Sequence, residues 1–147
     1  MTSIKTVKSS LAIEGHSMLL EQISDILNGQ PVIAPANDII TVKNAIAIYG
    51  LFGKLDAFNI EDILKAHSVM MKGLLPDAGR FRSAGVGLFQ RGGGGACCSP
   101  HQNVSGLIAN LLEYLVNSDD SLLMKSCIFH CEFEFIHSFI DGNCRIG

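Results

Sequence analysis

The chain has no uninterrupted apolar run long enough to span a bilayer, although 48% of its 147 residues are apolar and only 17% are charged. Mean hydropathy is +0.32. A membrane-spanning protein is therefore not expected. The opening stretch, MTSIKTVKSS, lacks an apolar core and a small-residue cleavage site, so a secretory signal is not expected either and the cytoplasm is the expected compartment. No basic stripe is present, and the net charge is −3. That balance argues against electrostatic capture of nucleic acid. The five cysteines (Cys97, Cys98, Cys127, Cys131, Cys144) are an odd number and read as free thiols rather than a disulfide framework. Internal repeats and long polar linkers are also missing, which leaves a single domain over residues 1–147 as the expectation.

What is present is helical periodicity. A first helix is expected through Ile4, Val7, Leu11 and Ile13, stopping at Gly15. A second follows with Ser17 as its cap, a stripe of Leu19, Leu20, Ile23, Ile26 and Leu27, and Asn28-Gly29 as its end. Asp38 is the expected cap of a third, running through Ile39, Val42, Ile46 and Tyr49 to Gly50 or Gly53. Asn59 and Asp62 imitate a capping box for a fourth, with Ile60, Ile63, Leu64, His67 and Met71 leading to Gly73. Two more helices are expected, one through Val104, Leu107, Ile108, Leu111 and Leu115, the other from about Asp120 through Leu123, Cys127, Ile128, Cys131 and Phe135.

Residues 80 to 95 depart from that pattern. RFRSAGVGLFQRGGGG alternates apolar positions between glycines, which suits a short hairpin or extended flap. Its RGGGG run lacks the GK[ST] ending of a phosphate loop and reads as a hairpin tip. The fold class expected is mainly α with one small β element. Cys127, His130 and Cys131 could be drawn as a zinc cluster with His137 or Cys144. Their spacing instead places the two thiols on one helix face with Ile128 and Phe135, as core residues. His67 and His130 are expected as core histidines, and His16 and His101 as loop residues.

The chemistry concentrates in His137-Ser138-Phe139-Ile140-Asp141-Gly142-Asn143-Cys144-Arg145. Nine residues hold an imidazole able to take a hydroxyl proton near neutrality, a carboxylate suited to Mg²⁺, and a glycine that permits a left-handed backbone. They also hold an amide donor and a guanidinium fork for phosphate. A following helix N-terminus would add backbone N–H donors. Phe139 is expected to anchor this loop in the core.

These residues resemble the signature of the Fic family, whose usual form reads HPFxDGNGRxGR. Seven fixed positions agree, namely His137, Phe139, Asp141, Gly142, Asn143, Arg145 and Gly147. The preceding FEFIH looks like the family's approach to the motif, HSVMMKGLLPDAGRFR like its stretch before the flap, and residues 80–98 like the flap itself. In the family, the flap aligns a target segment by backbone hydrogen bonds. Upstream, Ser10-Leu-Ala-Ile-Glu14-Gly15 resembles the inhibitory motif [S/T]xxxE[G/N], with Ser10 and Glu14 one turn apart on a helix at residues 1–16.

The resemblance implies a Fic-type helical bundle that transfers AMP from Mg·ATP to a Ser, Thr or Tyr hydroxyl of a target protein. His137 would be the general base, Asp141 the Mg²⁺ ligand, and Gly142, Asn143, Cys144 and Arg145 the nucleotide cradle. Glu14 would inhibit by pairing with the signature's second arginine and blocking placement of the ATP γ-phosphate. Removal of AMP, with Glu14 orienting water, is the neighbouring alternative; a catalytically silent interaction module is the rival from another class.

The sequence departs from the pattern in three places. Ser138 replaces proline, and Cys144 replaces glycine, where a left-handed backbone would cost cysteine about 1 kcal/mol. The chain also stops at Gly147, before the second arginine and the helices that normally follow. Uncovered apolar surface on the last helices and a tendency to homo-oligomerise are the corresponding expectations.

Overall fold

The structure, a computed structural model, describes residues 2–13, 18–89, 95–97 and 99–147. Its helices are α1 (Thr2–Ile13), α2 (Leu20–Leu27), α3 (Ala36–Tyr49), α4 (Ile60–Met70), α5 (Val104–Asn117), α6 (Leu122–Ile136) and the single turn α7 (Asn143–Ile146). The fold is mainly α, as the periodicity requires. The chain forms two compact units, Met1–Leu55 with Lys65–Gly79, and Asp56–Leu64 with Arg80–Gly147.

In the first unit α1, α2 and α3 bury Val7, Leu11, Met18, Ile23, Ile26, Val42 and Ala45 together. Ser17, the expected cap of α2, lies outside the described residues. The helix starts after Leu19, whose N–H donates to Gln22 Oε1 at 3.0 Å, the backward half of a capping box. Gly29 closes α2 with φ +71°, and Gln30 N–H reaches back to the Asp25 carbonyl at 2.8 Å. Helix α3 begins two residues ahead of the expected Asp38 cap. Proline fixes the entry dihedral, and the Pro35 carbonyl accepts from Asp38 and Ile39 N–H at 3.0 and 3.2 Å. Asp38 instead lies in the first turn, where its carboxylate meets the positive end of the helix.

His67 is a core histidine, 1% exposed, with Nδ1 accepting the Gly79 N–H at 2.8 Å. Asn44, also buried, donates to the Met70 and Lys72 carbonyls at 2.9 and 2.7 Å. It thereby satisfies acceptors that the end of α4 leaves over.

In the second unit the apolar core joins Ile63, Val104, Ile108, Leu111, Leu112, Leu115, Phe133, Ile136 and Phe139. Asn59 Oδ1 caps α4 by accepting from Glu61 N–H, but Asp62 turns its Oδ2 to Asp56 N–H rather than to Asn59. Ser121 caps α6, accepting from Met124 N–H at 3.3 Å. Strand β1 (Gly87–Phe89) pairs antiparallel with β2 (Gly95–Cys97), in the register Gly87 to Cys97 and Phe89 to Gly95. Most of the expected RGGGG tip, and Cys98, lie outside the described residues.

Helix α6 corrects two expectations. Cys127, Cys131 and His130 are exposed, and Phe135 is 77% exposed. The helix turns inward along Phe129, Phe133 and Ile136, an i, i+4, i+7 stripe rotated away from the Cys127-Cys131-Phe135 row. Leu122 and Leu123 share the outward state, at 84% and 73% exposure. Among the described residues no group of His, Cys, Asp and Glu is arranged to hold a metal, so the zinc drawing has no geometric support. No helix among them is long and apolar enough to cross a membrane.

Candidate active site

Helix α6 delivers His137. Its last turn closes when His137 N–H donates to the Phe133 carbonyl at 3.1 Å, and His137 itself takes the left-handed cap at φ 50°, ψ 64°. It is the sole non-glycine residue with positive φ among the described residues. An L-residue pays roughly 1–2 kcal/mol for that conformation, which glycine would avoid. The imidazole is thus held at a sharp bend, half-buried, where the chain leaves the helix.

Phe139 anchors the loop, fully buried, with its ring 5.5 Å from Phe81 and 6.3 Å from Phe133. Asn143, expected as a side-chain donor to phosphate, is 2% exposed and spends its amide on the loop. Its Oδ1 accepts from Phe139 N–H and its Nδ2 donates to the Phe139 carbonyl, both at 2.9 Å. Two buried main-chain groups are satisfied by one side chain, which holds Phe139 to Asn143 as a closed ring.

Gly142 opens α7 from the left-handed region at φ 80°. Its N–H donates to Asp141 Oδ1 at 2.7 Å, while Asp141 Oδ2 lies 4.0 Å from Arg145 Nη2. Asp141 is exposed, its side chain 61% accessible, and Arg145 is largely buried at 7%. An anion, a cation and a left-handed glycine are therefore gathered within five residues.

Cys144 lies in α7 with an ordinary helical backbone, so the expected left-handed strain is absent. The positive φ belongs to Gly142, two residues earlier. The Cys144 thiol is exposed and donates to Glu134 Oε2 at 3.2 Å. Gly147 is different, because a Cβ there would meet Glu134 Oε1 and Phe133 Cδ1, each at 2.9 Å. Ser10 lies on α1; Glu14, the other regulatory candidate, falls outside the described residues.

Three further residues shape the site although the sequence reading gave them no role in it. Arg82 is 3% exposed, and its guanidinium donates to main-chain carbonyls on both sides of the site. Nε reaches His137 O at 2.6 Å, Nη2 reaches Ile136 O at 3.2 Å and also Ser99 O, and Nη1 reaches Ala84 O at 3.1 Å. Its own N–H donates to Ser138 O at 3.0 Å. Glu134 supplies the carboxylate against Cys144 and Gly147. Ser138 is fully buried, and its Oγ has no hydrogen-bond partner among the described residues. An arginine in a stretch read as extended gave no hint of burial; the RFR pattern, with a core phenylalanine beside it, was the one available clue.

The model of the Fic/DOC family matches residues 57–147. The chain belongs to the Fic/DOC family. Members of that family are generally transferases, typically of AMP or a related nucleoside monophosphate. A crystal structure of a Fic family protein from Desulfovibrio desulfuricans G20 is 42% identical, with a TM-score of 0.91 over 98% of this chain and 44% of that one.

Two more distant structures share the Fic fold. A Fic domain containing signaling protein from Bacteroides thetaiotaomicron VPI-5482 has 14% identity and a TM-score of 0.85, over 98% of this chain and 58% of that one. A segment of Fic-1 from C. elegans has 24% identity and a TM-score of 0.83, over 99% of this chain and 45% of that one. The Fic/DOC chain thus spans about half the length of these relatives. No curated protein matches it.

Proposed function

We propose that this Fic/DOC chain is a protein adenylyltransferase, moving AMP from Mg·ATP to a Ser, Thr or Tyr hydroxyl of a target protein. The observation that supports this reading is the His137–Arg145 loop, in which a half-buried imidazole at a left-handed helix cap precedes a carboxylate, a left-handed glycine and a buried guanidinium. Asp141 fits Mg²⁺, since it offers an exposed hard oxygen donor. Mg·ATP, when bound, supplies the transferable AMP and neutralises developing charge.

The chain's own residues then have distinct tasks. His137 takes the proton from the attacking hydroxyl at its imidazole. Gly142 supplies the left-handed turn, Asn143 and Cys144 present main chain to the phosphates, and Arg145 adds positive charge, so catalysis is mostly positioning and electrostatics. The β1–β2 hairpin offers strand edges to an extended target segment. Ser10 and Glu14, which match the inhibitory motif, restrain the reaction.

One contact favours a second reading, a catalytically silent Fic-like module. The Cys144 thiol and Glu134 carboxylate meet at the start of α7, and a carboxylate there repels phosphate. Incubation with ATP labelled at the α-phosphate and Mg²⁺ separates the two. Labelled protein that disappears in His137→Ala and increases in Glu14→Gly is the expected result. No label in the wild type, in Glu14→Gly and in Cys144→Gly would leave the silent module standing.

A further inference from the structure

We infer that Arg82 is a positioning residue that locks the His137 cap and the base of the β1–β2 hairpin into one unit. Its role in catalysis rests on the transfer reading above; its structural coupling does not. The guanidinium is buried, and a buried charge persists in a protein only where its donors are met. Among the described residues, every acceptor it uses is a main-chain carbonyl. Two of these, Ile136 and His137, lie at the end of α6, where the last turn leaves carbonyls over and the helix presents its negative pole. The other two, Ala84 and Ser99, flank the hairpin on its entering and leaving sides.

The planar fork decides why arginine stands here. Four acceptors from three separate stretches of chain are reached by Nε, Nη1 and Nη2 at once, a geometry that the single ammonium of lysine cannot span. A fifth bond, from Arg82 N–H to the Ser138 carbonyl, carries the same connection one residue past the cap. The left-handed backbone of His137 is the costly conformation of the loop, and Arg82 holds the carbonyls of that residue and of both its neighbours. Displacing the guanidinium therefore frees the base and the hairpin together.

Amide hydrogen exchange on the 147-residue chain, resolved by residue, tests this without requiring activity. In Arg82→Gln, exchange at His137 and Phe139 and at the paired positions of β1 and β2 is expected to rise about tenfold or more, while Ile108 and Leu111 of α5 keep wild-type protection. Arg82→Lys, which retains the charge and a single donor group, should fall between the two. Three outcomes overturn the proposal. One is unchanged exchange at the cap; another is loosening of the cap or the hairpin without the other. The third is an equal rise in α5 for both variants, which would make Arg82 a general core residue. If the wild type also labels with ATP, Arg82→Lys should lower kcat by a larger factor than it raises KM. Absence of label in the wild type bears on the transfer reading alone, since the exchange result is still obtained.

Discussion

The loop from His137 to Asn143 separates what the site needs chemically from what the fold would choose. His137 holds a left-handed cap that glycine occupies more cheaply, so His137→Gly is expected to raise stability by about 1 kcal/mol while abolishing the proposed transfer. Denaturant melts and a labelling assay on one preparation check both halves. Asn143→Ala leaves the Phe139 N–H and carbonyl without their buried partner, at a cost of about 2–4 kcal/mol for the two main-chain groups, read by the same melts. Ser138→Ala should move the other way. Its hydroxyl is buried with no bond among the described residues, and removing it is expected to be neutral or to stabilise by about 1 kcal/mol. Among these residues the sequence made the chemical types plain, yet not their division of labour. Asn143 reads as a phosphate donor because amides bind phosphate, but burial and two main-chain partners make it a fastener.

At the scale of helices, existence and type were legible because the apolar stripes recur with the helical period, as in Val7 and Leu11 or Ile108, Leu111, Leu112 and Leu115. Ends were less so. The start of α3 was set by Pro35 rather than by the side chain of Asp38, and α6 rolled its Phe129-Phe133-Ile136 row inward over an equally apolar neighbouring row. Where a helix is apolar on most sides, periodicity alone cannot say which side faces the core.

The end of α5 shows how a polar cluster can be read out directly. Asp120 accepts from Ser118 Oγ and from Tyr114 Oη, each at 2.6 Å, and these bonds hold its carboxyl below the usual carboxylate range, that from Ser118 most of all. Since the folded state favours the ionised form, this contribution is present above the ordinary carboxylate pKa and is lost as pH falls through the depressed one. Ser118→Ala is expected to return the Asp120 midpoint toward that ordinary range in a carboxyl NMR titration.

Over the whole molecule the family was written in one short motif, while the division of contacts into two compact units has no mark in composition, since it falls within α4. The outward row of α6, with Leu122, Leu123 and Phe135, makes concentration-dependent self-association the expected behaviour of this 147-residue chain. Sedimentation of the wild type against a Leu122→Lys, Leu123→Lys double variant measures it, and the double variant should be the more monomeric.

The contrast between two signature positions has a consequence for how sequence can drift at this site. Position 144 looks outward from an ordinary helical turn and accepts a side chain, whereas a Cβ at position 147 would require the Phe133 and Glu134 side chains to shift. A saturation library scored for folding should therefore show broader tolerance at 144 than at 147. The motif can thus gain new chemistry at the first slot without disturbing the scaffold, while a change at the second is felt by the side chains of α6.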